Sequence, residues 1–122
     1  MRFLHTRIRV RDLDRSIDFY KLLGLEMRGR STSPRGNALA FLADPESRAE
    51  IELCRIPGDD AFSFPEDIFH IAFQVGNLAS ELDRLGKAGV KITEPITPTG
   101  RGALAFIEDP DGYEIELLER HA

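Results

Sequence analysis

The chain has little cysteine: Cys54 is its only one, so no disulfide can form within it. A single free thiol fits a reducing compartment, and the expectation is the cytoplasm. Long apolar runs are missing too. Nothing approaches the ~20 residues that cross a bilayer, and the start, MRFLHTRIRV, alternates like a strand where a secretion signal would carry an apolar stretch. No membrane partner is therefore expected. There is no basic surplus, the net charge being -5, and this argues against a nucleic-acid partner. No glycine-rich fingerprint follows a strand, which sets aside a dinucleotide or P-loop site. The absence of a G-x-S-x-G turn, with the third histidine, His121, close to the last residue, sets aside a serine or cysteine hydrolase. What is present is ordinary for a globular domain. The 122 residues, 42% hydrophobic and 30% charged, suffice for one domain with a core of its own.

The most informative feature is a repeat with a shift of about sixty-five residues. ALAFLADP (38–45) returns as ALAFIEDP (103–110), EIEL (50–53) returns as EIEL (114–117), and the spacing of His5, Val10 and Leu13 returns in His70, Val75 and Leu78. Each half predicts the same elements, βαβββ. Strands are expected at 3–10, 25–31, 38–43 and 50–54, with a helix at 12–23 that Asp12 caps and Gly24 stops. The second half predicts strands at 68–75, 90–93, 102–108 and 113–119, a helix at 78–88, and a loop from Pro95 to Gly102. The expected organisation is one domain, 1–122, made of two modules (about 1–56 and 67–120) with a Pro/Gly-rich linker at 57–66. One helix per four strands leaves one sheet face to be closed by another sheet or a ligand cavity.

Strand side chains alternate between faces. Leu4, Ile8 and Val10 are expected on the helix side of the first strand, opposite His5, Arg7 and Arg9. Ile51 and Leu53 oppose Glu50, Glu52 and Cys54. In the second half, Ile71, Phe73 and Val75 oppose His70, and Ile115 and Leu117 oppose Glu114 and Glu116. Each module thus offers one histidine and a pair of carboxylates on the face away from its helix. Parity and repetition do not choose between Glu50 and Glu52, or between Glu114 and Glu116. Two imidazoles and two carboxylates form a mixed N/O donor set that suits zinc, nickel, cobalt or manganese with places left open. The thiolates of a closed structural zinc site are lacking.

On LHTRIRVRDLDRSIDFYKLLGLEM (4–27), AFIEDPDGYEIELLE (105–119) and the histidine–carboxylate pairs, the chain resembles the glyoxalase I (lactoylglutathione lyase) family of the vicinal oxygen chelate superfamily, over about residues 2–120. The resemblance implies an α+β fold of two tandem βαβββ modules forming a curved mixed sheet, completed in a homodimer. It places one divalent cation, nickel or cobalt rather than zinc, on His5, Glu52, His70 and Glu116, with each pair supplied by a different chain. It implies a thiol adduct of an α-ketoaldehyde as substrate, isomerised through an enediolate to a 2-hydroxyacyl thioester. Glu116 is then the general base and Glu52 its counterpart. Arg9 matches the family's arginine for a glutathione carboxylate, with Arg7 and Arg101 as further substrate contacts. The chain departs from the family in having Ile56 where asparagine is frequent, and in having Arg101 shifted from the family's basic loop residue. These departures keep open a metal-dependent relative of epimerase or thiol transferase type with a non-glutathione substrate. A further reading is a non-catalytic small-molecule binding protein, against which the four intact ligands count.

Overall fold

The computed structural model describes residues 1–121. The chain divides into two compact units, Met1–Ser63 and Phe64 onward. Each unit folds as βαβββ. The first contains β1 (His5–Arg9), α1 (Leu13–Leu22), β2 (Glu26–Thr32), β3 (Ala38–Ala43) and β4 (Glu50–Arg55). The second contains β5 (His70–Val75), α2 (Leu78–Lys87), β6 (Lys91–Thr99), β7 (Gly102–Glu108) and β8 (Glu114–Arg120).

The duplication reaches the backbone punctuation. Asp12 accepts the Arg15 N–H and Asn77 accepts the Ser80 N–H, so both helices begin on a side-chain cap at equivalent places. Both end on a glycine at positive φ, Gly24 at 99° and Gly89 at 87°. The next residue then donates its N–H back into the last turn, Leu25 to Tyr20 and Val90 to Leu85. The turns after β3 and β7 are closed by aspartate. Asp44 accepts the N–H groups of Glu46 and Ser47, and Asp109 those of Asp111 and Tyr113. These bonds hold Asp44 below the usual carboxylate range, the Ser47 hydroxyl contributing most.

Each unit has one four-stranded mixed sheet, ordered β1-β4-β3-β2 and β5-β8-β7-β6. The pairs β1–β4 and β5–β8 are parallel and the others antiparallel. One helix covers one face of each sheet. Leu13, Ile17 and Tyr20 of α1 are buried with Ile8, Val10, Leu42 and Leu53; Leu78, Leu82 and Leu85 of α2, at helical spacing, are buried in the second unit, as are Ile107, Ile115 and Leu117. The Glu119 carboxylate accepts the Leu78 N–H, tying β8 to the start of α2, and that bond is the main reason its pKa is lowered.

Two expectations need correction. Leu4 does not join Ile8 and Val10 inside: it lies ahead of β1 and is 58% exposed, although its carbonyl accepts the Glu50 N–H. The stretch 95–102 is mostly strand, with a turn only at Gly100 and Arg101. β6 continues through Pro95 and Pro98 to Thr99 and pairs with β7, with register shifts between Ile92 and Glu94 and between Glu94 and Thr97. Proline is tolerated there because β6 is an edge strand, where a missing N–H leaves no ladder partner unmet.

Gly102 starts β7 at φ 154°, and a Cβ there would lie 1.9 Å from the Glu119 carbonyl oxygen. The obstacle is backbone, so it cannot rotate away. Gly102→Ala is expected to lower unfolding free energy by about 2–4 kcal/mol, from strain plus overpacking. Denaturant midpoints of the two proteins check this, and equal midpoints would refute it.

Candidate metal centre

The face of each sheet opposite its helix carries one histidine–glutamate pair. In the first unit, parallel pairing sets His5 opposite Glu50 and Arg7 opposite Glu52. The imidazole nevertheless reaches diagonally to the second carboxylate, with His5 Nε2 3.2 Å from Glu52 Oε2. The second unit repeats the diagonal. His70 is in register with Glu114 and Ala72 with Glu116, while His70 Nε2 lies 3.8 Å from Glu116 Oε1. Side-chain reach thus pairs each histidine with the second carboxylate, Glu52 or Glu116. Burial, and next to it the charge of Asp67, pushes Glu114 above the usual carboxylate range.

A third member of each group was not singled out from the sequence. Phe41 pairs across the strands with Glu52, and Phe106 with Glu116. Each histidine meets that phenylalanine edge-on, with ring centroids 5.5 Å and 5.6 Å apart. The signal was the repeated ALAF, whose last residue is the same in both halves. The ring limits where the imidazole and carboxylate can go, which keeps their donor atoms together.

The two groups differ in one respect. The Arg7 Nε–H donates to Glu52 Oε1, and this bond is the main cause of a raised Arg7 pKa. The Glu52 side chain is only 4% exposed. In the second unit the place of Arg7 is taken by Ala72, and the Glu116 side chain is 16% exposed.

Among the other residues expected at the site, Arg9 pairs with Asp59 and lies over the Phe62 ring, 5.7 Å from its centroid. Arg11 donates to the Asp60 and Phe62 carbonyls and stacks on the same ring, while Arg55 binds the Asp59 carbonyl and the Asp60 carboxylate. The segment 59–62 is therefore fastened to its own sheet by three arginines. Arg101 is exposed in the turn between β6 and β7, where its N–H meets Thr99 Oγ1 and its carbonyl accepts the His121 N–H. His121 pairs with Glu119 and belongs to no histidine–glutamate–phenylalanine group. Cys54 is fully buried, and burial pushes its thiol up, away from nucleophile chemistry.

The donor set fits a divalent cation. Bonds of ~2.1 Å let one ion touch two atoms up to ~4.2 Å apart, and both N···O separations fall below that. Among the described residues, within neither unit do three histidine, cysteine, aspartate or glutamate side chains converge. Each unit brings together two potential metal donors.

Residues 2–117 match the family model of the Glyoxalase/Bleomycin resistance protein/Dioxygenase superfamily. The lactoylglutathione lyase of Escherichia coli O157:H7 is 42% identical over 125 residues, covering 98% of this chain and 93% of that protein. Among solved structures, the trypanothione-dependent glyoxalase I of Leishmania major is 36% identical with a TM-score of 0.85, covering 98% of this chain and 86% of that one. Glyoxalase I from Zea mays is 30% identical with a TM-score of 0.86, covering 99% of this chain and 45% of that one. With its βαβββ units and paired donors, the chain belongs to the Glyoxalase/Bleomycin resistance protein/Dioxygenase superfamily and, within it, to the lactoylglutathione lyases, the glyoxalase I enzymes.

Proposed function

We propose that this enzyme isomerises the hemithioacetal of methylglyoxal and a thiol to the 2-hydroxyacyl thioester, with Glu116 as the base that moves the proton. The observation that carries this reading is the asymmetry between two otherwise equivalent half-sites: a guanidinium occupies one oxygen of Glu52, whereas alanine stands at that place beside Glu116. A carboxylate bound by a guanidinium is a poor base, because its lone pair is engaged and its charge compensated. Beside Glu116 the register position holds Ala72, and the greater exposure of Glu116 gives a substrate access to it.

His5, Glu52, His70 and Glu116 would hold the divalent cation, nickel or cobalt before zinc. When bound, it would serve as a Lewis acid that makes the C–H beside the substrate carbonyl acidic. Glu116 takes that proton and returns it to the neighbouring carbon. Phe41 and Phe106 flank the imidazoles edge-on and lie opposite the two glutamates. The working unit is a homodimer in which His5 and Glu52 of one chain meet His70 and Glu116 of the other. Exposed Phe3 and Leu4 before β1, and Ile68 and Phe69 before β5, support a second copy covering these strands. Among the described residues no helix is long and apolar enough to cross a membrane, and a cytoplasmic location is part of the proposal.

Thioester formation from methylglyoxal and a panel of thiols, followed by ultraviolet absorbance, tests the reading. The chelator-treated protein should be inactive and nickel or cobalt should restore it beyond zinc. Full activity in the metal-free protein would contradict it.

One observation favours a thiol other than glutathione. Arg9, the residue expected to meet a glutathione carboxylate, is already paired with Asp59. A substrate carboxylate must displace it. Asp59→Asn is expected to lower KM for the glutathione adduct about two- to fivefold with kcat unchanged, the range of a partly exposed ion pair released. An unchanged KM would remove Arg9 from the substrate site.

A further inference from the structure

We propose that Arg7 is a built-in counter-cation of the first half-site, which holds Glu52 in place before a divalent cation arrives and weakens that cation's binding afterwards. The inference rests on the ligand assignment of the preceding section and adds a residue that tunes it.

Glu52 is nearly inaccessible to water, and a buried carboxylate is costly unless paired. Two groups face it. His5 approaches Oε2, and the Arg7 Nε–H occupies Oε1. The Arg7 position follows from the sheet, since it is the parallel-register partner of Glu52, and its side chain runs along the same face as His5. The arrangement is not a requirement of the fold. The second unit has the same strands, the same diagonal from histidine to glutamate and the same phenylalanine, but places Ala72 at the register position. The first half-site is therefore compensated and fixed, and the second is uncompensated and more accessible.

A divalent ion held by His5 and Glu52 would share that carboxylate with a permanent positive charge. Like charges on one carboxylate oppose each other, and solvent screens only part of this because Glu52 is buried. The guanidinium opposes the ion by charge and assists it by orienting Glu52. Phe41 and the buried strand already restrict the carboxylate, so the charge effect is the larger.

Arg7 is half exposed, so its replacement leaves the core intact. The test is nickel(II) titration of chelator-treated protein against a competing chromophoric chelator, with melting temperatures of the metal-free and loaded forms. Arg7→Met is expected to bind nickel ~10- to 100-fold more tightly than wild type. Its metal-free form should melt lower, and loading should raise the melting temperature by more than in wild type. Arg7→Lys keeps the charge without the directed Nε bond and should bind nickel within about threefold of wild type. Unchanged or weaker nickel binding by Arg7→Met, with wild type binding normally, overturns this inference alone. If no form takes up nickel, cobalt or zinc, the ligand assignment fails and this inference falls with it.

Discussion

Glu116→Gln is expected to lower kcat by ~10³-fold while the protein still takes up its cation, since general-base catalysis is typically worth ~10²–10⁴. Glutamine keeps the size of the side chain and an oxygen donor but abolishes the basicity. Glu116 meets His70 at 3.8 Å and borders Phe106, and none of these contacts needs the negative charge to keep β8 in place. The loss should therefore appear in chemistry, not in folding. Solvent-deuterium incorporation at the substrate carbon should fall in parallel with turnover. Glu52→Gln should behave differently. Its carboxylate is buried and shared between His5 and Arg7, so removing the charge alters stability and cation affinity more than the proton step. Turnover within tenfold of wild type in cation-loaded Glu116→Gln would take the base assignment away from that residue.

The second large effect is expected at the histidines. His5→Ala and His70→Ala each remove one imidazole donor, and each should cut cation affinity by more than ~100-fold, beyond the range seen when mere supporting partners of ligands are lost. Both side chains are partly exposed, at 39% and 45%, and neither fills a core. Circular dichroism and melting of the metal-free proteins should stay near wild type. Each variant should lose activity at ordinary metal concentrations, and excess nickel should restore part of it. Loss of affinity in one variant only would mean that the two half-sites do not serve one ion.

Much of this arrangement is legible in the sequence because it depends on short-range rules. Asp12, Gly24 and Gly89 mark the helix ends, since capping and left-handed backbone depend on residue type. Alternation in HTRIR and EIEL gives the face of each side chain, because the strand period is two. The neighbour on that face is another matter. Whether His5 reaches Glu50 or Glu52, and that Arg7 meets Glu52, are set by the stagger of β1 on β4, strands some forty-five residues apart. Alternation carries no information about stagger. The same limit hid Phe41 and Phe106, whose importance lies in being opposite the glutamates. Pro95 and Pro98 misled for a different reason. Proline argues against a strand only where its N–H would be needed, and an edge position depends on strand order across the whole sheet. The pairing of Arg9 with Asp59 bridges a strand and the segment after β4, and no periodicity links them.

The central claim is that the repeated half-sites, His5 with Glu52 and His70 with Glu116, combine across two chains to hold one cation. The direct measurement is the cation content of a purified mixed dimer in which one chain carries His5→Ala and the other His70→Ala. Sites shared between chains place both substitutions in one site and leave the other intact, so the mixed dimer should hold about half the cation of wild type while either variant alone holds almost none. A mixed dimer as empty as the single variants would contradict sharing between chains, and a single variant that keeps its full cation content would contradict the ligand set itself.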